Sequence, residues 1–181
     1  MIEKVKYLNL TALLFLMVAC KNGSKDVIAD KTIVANQVSE DTFAENIGLP
    51  IYDYEALAPL LHKEDDKTYI VNFWATWCKP CIEELPGFER TFQEQKDNNV
   101  SLVLVSLDMP GMWEKRLVPF VEKHQLQGEV VILDDPDMNE WIPQVHADWG
   151  GGIPATLIYN RNKRRFYEKG LSYEALNQEL V

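Results

Sequence analysis

Residues 69–81 read YIVNFWATWCKPC, and residues 82–92 continue as IEELPGFERTF. The run at 69–74 is apolar, β-branched and aromatic, which predicts a short buried strand. The apolar residues of the second stretch recur at three- and four-residue steps, the pattern of an amphipathic helix. They are Ile82, Leu85, Phe88 and Phe92. The cysteines at positions 78 and 81 therefore lie where a strand ends and a helix begins.

This placement suits cysteine redox chemistry. A helix N-terminus stabilises a thiolate through its free N–H groups and its dipole, and the thiolate is the form that attacks a disulfide. Cys78 is the predicted nucleophile, and two intervening residues let Cys81 resolve a mixed disulfide. Lys79 adds a smaller, screened positive charge. Pro80 suits the first helical turn and stiffens the segment between the two sulfurs.

Two other interpretations of the cysteine pair remain. A structural disulfide is one, although a bridge that closes so short a loop adds little stability through loop entropy. Half of a zinc site is the other, and it requires two further ligands. The histidines at 62, 124 and 146 stand singly, without ligand spacing. Redox chemistry is therefore favoured, and no metal is predicted.

Residues 1–19 are predicted to be an export signal. Lys4 and Lys6 precede about a dozen uncharged, mostly apolar residues, fewer than the roughly 20 needed to span a membrane. The segment ends in Met17-Val-Ala-Cys20, which resembles the lipobox of bacterial lipoproteins. That resemblance implies lipidation of Cys20 and an exported, membrane-anchored protein; an ordinary signal peptide or a short anchor, with an incidental cysteine, is the alternative. Residues 20–48 then form a polar tether.

Residues 73–81 resemble the active site of the thioredoxin superfamily. More narrowly, they are similar to the membrane-tethered, extracytoplasmic thiol–disulfide oxidoreductases of the TlpA/ResA type. The resemblance covers residues 49–181 and implies an α/β, thioredoxin-like fold with a central mixed sheet flanked by helices on both faces. Buried-strand and helix patterns alternate along this stretch and support such a sheet. Residues 110–135 are predicted to be an inserted helix–strand unit.

Further site residues follow from the same resemblance. Pro154 matches the proline that is cis in thioredoxin-like folds, and the backbone of Ile153 would then pair with a substrate peptide. A trans proline at the start of a strand is the alternative. Glu84 matches an acidic residue that exchanges protons with the thiols, with a pKa raised by partial burial; a solvated helix glutamate is the alternative. Asn72 replaces the buried Asp of many thioredoxins, and Trp77 is expected to form part of an exposed apolar rim that contacts partners.

Composition excludes other function classes. The chain has 181 residues, with 18 Lys and Arg against 28 Asp and Glu and a net charge of −10, which disfavours nucleic-acid binding. A basic cluster is predicted to lie in a solvated turn: Arg161, Lys163, Arg164 and Arg165. The glycines at 150–152 precede no helix, so they do not form a phosphate loop. Ala75 stands three residues before Cys78, where a peroxide-reducing cysteine has Thr or Ser.

These observations predict a periplasmic, lipid-anchored thiol–disulfide oxidoreductase that needs no cofactor beyond the Cys78–Cys81 pair. The family resemblance favours a reductase recharged by a DsbD-like membrane reductase, with apocytochrome c or misoxidised envelope proteins as clients. An oxidase or isomerase of the same fold is an alternative. A different class is a non-catalytic, client-binding envelope lipoprotein whose cysteines form a static bridge.

Overall fold

The computed structural model describes residues 47–180. The predicted signal peptide, the proposed lipidation site Cys20 and nearly all of the predicted tether lie outside these residues. Within them, no helix combines the length and the apolar character needed to cross a membrane.

The described residues form a six-stranded mixed sheet in the order β1-β4-β3-β2-β5-β6. The first four strands in this order pair in parallel, and β5 joins β2 and β6 antiparallel. The strands are β1 (Ile51–Tyr52), β2 (Thr68–Trp74), β3 (Val100–Ser106), β4 (Glu129–Leu133), β5 (Ala155–Asn160) and β6 (Lys163–Tyr167). The predicted mixed sheet is confirmed.

Helices cover both faces of this sheet. They are α1 (Tyr54–Leu57), α2 (Lys79–Gln95), α3 (Val118–His124), α4 (Met138–Val145) and α5 (Tyr173–Leu180). Short 3₁₀ turns span Ala58–Leu61, Lys96–Asn98 and Pro110–Met112, and a π-helical turn spans Trp113–Leu117. The predicted α/β fold class is confirmed.

Strand β2 shows how the sequence builds the two layers. Its side chains alternate between faces: Ile70 and Trp74 pack beneath α2, α3 and α5, whereas Val71 and Phe73 pack towards α1 and α4. All four are fully buried. A strand covered on both faces needs apolar residues at consecutive positions, and this explains the unbroken apolar run in the sequence.

The predicted insertion at 110–135 is present. The π-helical turn leads into α3, where Pro119 stands in the first turn and costs no hydrogen bond. β4 follows and pairs in parallel with both β3 and β1. The insertion therefore contributes a strand to the interior of the sheet.

The basic cluster corrects one prediction. Of the four residues, Arg161 lies in the turn, while Lys163, Arg164 and Arg165 belong to β6. Lys163 Nζ lies 2.9 Å from Glu179 Oε2, and the Arg164 guanidinium donates to the carbonyls of Leu61 and Val145. The assignment to a turn was wrong for these three residues, because they pair with β5 as part of a strand.

Candidate functional site

The two cysteines lie at the N-terminus of α2. Cys78 is the N-cap residue, and its sulfur accepts a hydrogen bond from the Cys81 N–H at 3.3 Å. The two sulfurs are joined in a disulfide. Cys81, in the first turn of α2, is fully buried, whereas Cys78 keeps 6% of its surface exposed. A reactant from solvent therefore reaches Cys78 first, and the helix N-terminus favours negative charge on its sulfur.

Ile153 and Pro154, which we call the Pro154 loop, lie next to Cys78. The Ile153–Pro154 bond is cis, as predicted. The Ile153 carbonyl oxygen lies 3.8 Å from Cys78 Sγ. In the disulfide this sulfur carries no proton, so the pair is in contact without a hydrogen bond; a thiol at the same place could donate to the carbonyl. The structure thus brings Ile153 and Pro154 to the cysteine pair.

Glu84 is a buried carboxyl one turn after Cys81. Its Oε1 accepts from Asn72 Nδ2 at 2.8 Å, and its Oε2 accepts from the Leu171 N–H at 2.9 Å. Burial raises the pKa of Glu84 above its ordinary value of 4.5, and the two hydrogen bonds offset part of that rise. A raised pKa makes Glu84 a stronger base than an exposed glutamate, which suits a group that takes a proton from a thiol and returns it.

Asn72 holds this carboxyl from the centre of β2. Its side chain is fully buried, and its Nδ2 also donates to Thr156 Oγ1 at 3.1 Å. Its Oδ1 is buried without a hydrogen-bond partner. Asn72 therefore holds the carboxyl of Glu84 through a donor that cannot itself ionise.

Asp108 supports the active-site loop and was not predicted. It is buried, and it accepts from the Thr76 N–H at 2.9 Å and from Thr76 Oγ1 at 2.5 Å. Ser106 Oγ also donates to it, at 2.9 Å. β2 and β3 are parallel, so residues following the two strands meet at one edge of the sheet. A carboxylate two residues past an apolar strand was the available signal.

Trp77 directly precedes Cys78 and presents an apolar side chain to solvent. Trp77 is 50% exposed and Met109 is 64% exposed, and the predicted exposure of Trp77 is confirmed. Lys79 lies on the outer face of α2, where its Nζ is 3.5 Å from Glu83 Oε1 and both side chains are largely in solvent. Its charge is screened there. Pro80 occupies the first turn of the helix.

Side chains that could bind a metal ion are not clustered in the part of the chain that the structure describes. In residues 47–180, His, Cys, Asp and Glu side chains form no group of three or more suited to a metal ion. His146 stacks on Phe166 and His124 stacks on Phe120, so two of the three histidines pack against aromatic rings.

The sequence profile of the AhpC/TSA family matches residues 57–164, which include the cysteines, Glu84, Asp108 and the Pro154 loop. The chain belongs to this family. Among curated relatives, it is 29% identical over 136 residues to the thiol-disulfide oxidoreductase ResA of Geobacillus thermodenitrificans, a match that covers 72% of each chain. It is also 29% identical over 116 residues to ResA of Halalkalibacterium halodurans, where the match spans 64% of this chain and 61% of the relative.

Solved structures support the fold. The crystal structure of StoA from Bacillus subtilis superposes with a TM-score of 0.52 and 22% identity, covering 65% of this chain and 85% of StoA. A thioredoxin-related protein from Neisseria meningitidis serogroup B gives a TM-score of 0.54 and 21% identity, covering 65% and 83%. The predicted thioredoxin-like fold is confirmed.

Proposed function

We propose that this protein is a thiol–disulfide oxidoreductase that exchanges the Cys78–Cys81 pair with client proteins, acting as a reductase. One observation carries the proposal: the more exposed sulfur caps a helix and faces the Ile153 carbonyl, while its partner is fully buried behind it. This order separates the attacking sulfur from the resolving one. The ResA relatives are named thiol-disulfide oxidoreductases, which supports the exchange activity.

The exchange proceeds in two balanced steps. The Cys78 thiolate attacks one sulfur of a client disulfide, forms a mixed disulfide and releases the first client thiolate, which takes up a proton. The Cys81 thiolate then attacks Cys78 Sγ and releases the second client sulfur as a thiol. Two electrons and two protons pass to the client, and the internal disulfide forms.

Glu84 is proposed to accept the proton that Cys81 must lose in the second step. Residues three apart on a helix share a face, so the carboxyl and the buried thiol lie on the same side of α2. Because burial raises the pKa of Glu84, its basicity is greater than that of an exposed glutamate. No organic cofactor or metal is required by this scheme.

The proposed location is the cell envelope, with an anchor at Cys20. Its support is the leader-like composition of residues 1–19 and the cysteine that follows. A DsbD-like membrane reductase is the proposed electron source, and apocytochrome c or misoxidised envelope proteins are the proposed clients. The anchor is tested by fractionation: Cys20→Ser should move the protein from the membrane to the soluble fraction.

Reduction of insulin by the full-length protein tests the activity. Wild type should turn over with dithiothreitol as electron donor, and Cys78→Ser should show no turnover. Cys81→Ser, first reduced and then freed of dithiothreitol, should form a one-to-one mixed disulfide with insulin. A static bridge would give no turnover in any form. Hydrogen peroxide is the contrasting substrate, and we expect no turnover because Ala75 stands where a peroxide-reducing cysteine has Thr or Ser.

The direction of exchange is tested by the reduction potential of the Cys78–Cys81 pair. A reductase should have a value near that of thioredoxin, about −270 mV. A value near about −120 mV would identify an oxidant, and the proposed direction would then be wrong.

A further inference from the structure

Gly150, Gly151 and Gly152 lead directly into Ile153, whose carbonyl faces Cys78. The Gly150 N–H donates to Glu168 Oε2 at 3.0 Å, and the Gly152 N–H donates to Glu168 Oε1 at 2.8 Å. One carboxylate therefore binds two backbone amides of this segment, which we call the glycine loop. Hydrogen bonds to a charged acceptor are stronger than those between neutral groups.

The sheet brings Glu168 to the glycine loop. β5 and β6 are antiparallel, with Thr156 opposite Tyr167. The residue after β6 therefore lies beside the segment that precedes β5. The sheet thus brings Glu168 to two amides that lie 16 and 18 residues before it in the sequence.

The three glycines are what this contact requires. A Cβ at position 152 would lie 2.8 Å from Glu168 Oε1, and a Cβ at position 150 would lie 3.2 Å from the same atom. Gly151 has a φ of +90°, a conformation that other residues rarely adopt. Larger residues would displace the carboxylate or strain the loop.

A second contact fixes the same segment. The Trp149 indole N–H donates to the Gly152 carbonyl at 2.9 Å, and Trp149 itself is buried. Both polar groups of Gly152 are thereby held, one by an exposed carboxylate and one by a buried indole. Because Ile153 is the next residue, these contacts determine where its backbone begins.

We propose that Glu168 is a positioning residue: it holds the glycine loop and thereby sets the Ile153 backbone at the place where a client peptide docks beside Cys78. The inference rests on the proposed function. Glu168 does not touch the sulfurs in this scheme, so its removal should weaken docking while leaving the exchange chemistry intact.

Insulin-reduction kinetics of the full-length protein test the docking step. Glu168→Gln keeps the length of the side chain but replaces one acceptor oxygen with a donor, so it can bind one glycine amide and not both. Glu168→Ala removes both acceptors. We expect KM to rise roughly three- to tenfold, more for Ala than for Gln, with kcat within about twofold and an unchanged reduction potential. Glu122→Gln, an exposed glutamate on α3, is the matched control and should behave as wild type.

Amide hydrogen exchange tests the loop independently of activity. In Glu168→Gln, the amides of Gly150 and Gly152 should exchange at least about tenfold faster than in wild type, while the Leu157 amide in β5 is unchanged. Gly152→Ala should raise KM in wild type and have little further effect on top of Glu168→Ala, because its Cβ acts by displacing the carboxylate.

Each outcome decides the proposal. Wild-type KM together with wild-type exchange in the Glu168 variants would overturn it. Loss of protection throughout β5 with a fall in kcat would also overturn it, since Glu168 would then be a general structural residue. If the wild-type protein itself shows no turnover, the proposed function and the docking role fail together, and the exchange rates still establish whether Glu168 holds the loop.

Discussion

Cys78 lies between two supports that are built differently. On one side, the start of α2 and the preceding loop rest on buried groups: the core beneath the helix, and Asp108 binding Thr76. On the other side, the glycine loop is held by exposed Glu168 and by one indole hydrogen bond. We expect the helix side to be the more rigid, because its supports are buried whereas one of the two contacts on the loop side is exposed to solvent. The helix side therefore positions the reactive sulfur, and the loop side is where we propose that a client docks.

Truncating the core beneath α2 should have the largest effect on stability. Phe88 is fully buried in the layer under the helix. Phe88→Ala should lower the free energy of unfolding by about 3–5 kcal/mol, because it removes apolar contacts and leaves a cavity. Urea unfolding of the oxidised protein measures this. Phe92→Ala is the matched control: Phe92 lies on the same helix but is partly exposed, so its loss should be clearly smaller.

Removing the buried carboxylate should cost less than removing the buried ring. Asp108→Ala leaves the Thr76 N–H and two hydroxyls without their acceptor, which should cost about 1–3 kcal/mol of unfolding free energy. Asp97→Ala, at an exposed turn, should change it by less than about 0.5 kcal/mol. Equal losses in the two variants would show that Asp108 does not support the active-site loop.

A smaller loss is expected on the loop side. Trp149→Phe keeps an aromatic ring against Phe73 and Phe166 but removes the donor to the Gly152 carbonyl. The unfolding free energy should fall by about 1 kcal/mol, with a rise in KM for insulin. A loss of unfolding free energy as large as that of Phe88→Ala would mean that buried packing holds both sides equally, which would contradict the comparison.

The smallest effect, absent at acid pH, should be the change produced by Glu84→Gln. Burial raises the folded-state pKa of Glu84 above 4.5, so the unfolded chain releases this proton first as the pH rises. The contribution of Glu84 to stability is therefore complete below about pH 4.5 and is lost as the pH rises through the folded-state pKa.

Urea unfolding at a series of pH values checks this sign. The stability of Glu84→Gln relative to wild type should increase with pH above about 4.5, because the variant has no proton to lose. Glu83→Gln, one residue away on the solvent side of α2, is the matched control for replacing a glutamate on this helix. A decrease in the relative stability of Glu84→Gln over this range would contradict a raised pKa.

The helix side could be predicted from the sequence because its parts are close together in the chain. The strand-to-helix pattern places Cys78 and Cys81 without long-range information, whereas Asn72 and Glu84, which lie within the same 13 residues, were reached through family resemblance. Pro154 was reached through family resemblance. The sheet, the inserted unit and the raised pKa of Glu84 were all predicted correctly.

The contacts that depend on strand pairing could not be predicted. Asp108 meets Thr76 across 32 positions, and Glu168 meets the glycine loop only through the register of β5 and β6. β3 ends at Ser106 although Leu107 continues the apolar run, because the Asp108 side chain turns back towards the active-site loop. Register is set by packing between strands, which a local pattern does not contain.

The basic side chains of β6 affect the tendency of the protein to aggregate through the edge of its sheet. β6 is an outer strand, and an unpaired strand edge is a template on which another chain can add and begin an aggregate. A second copy aligned there would set Arg164 and Arg165 against other cations. The opposite edge, β1, is two residues long and offers little to pair with. Both edges of the sheet therefore disfavour the addition of a strand from another chain, which would reduce aggregation with the proposed clients.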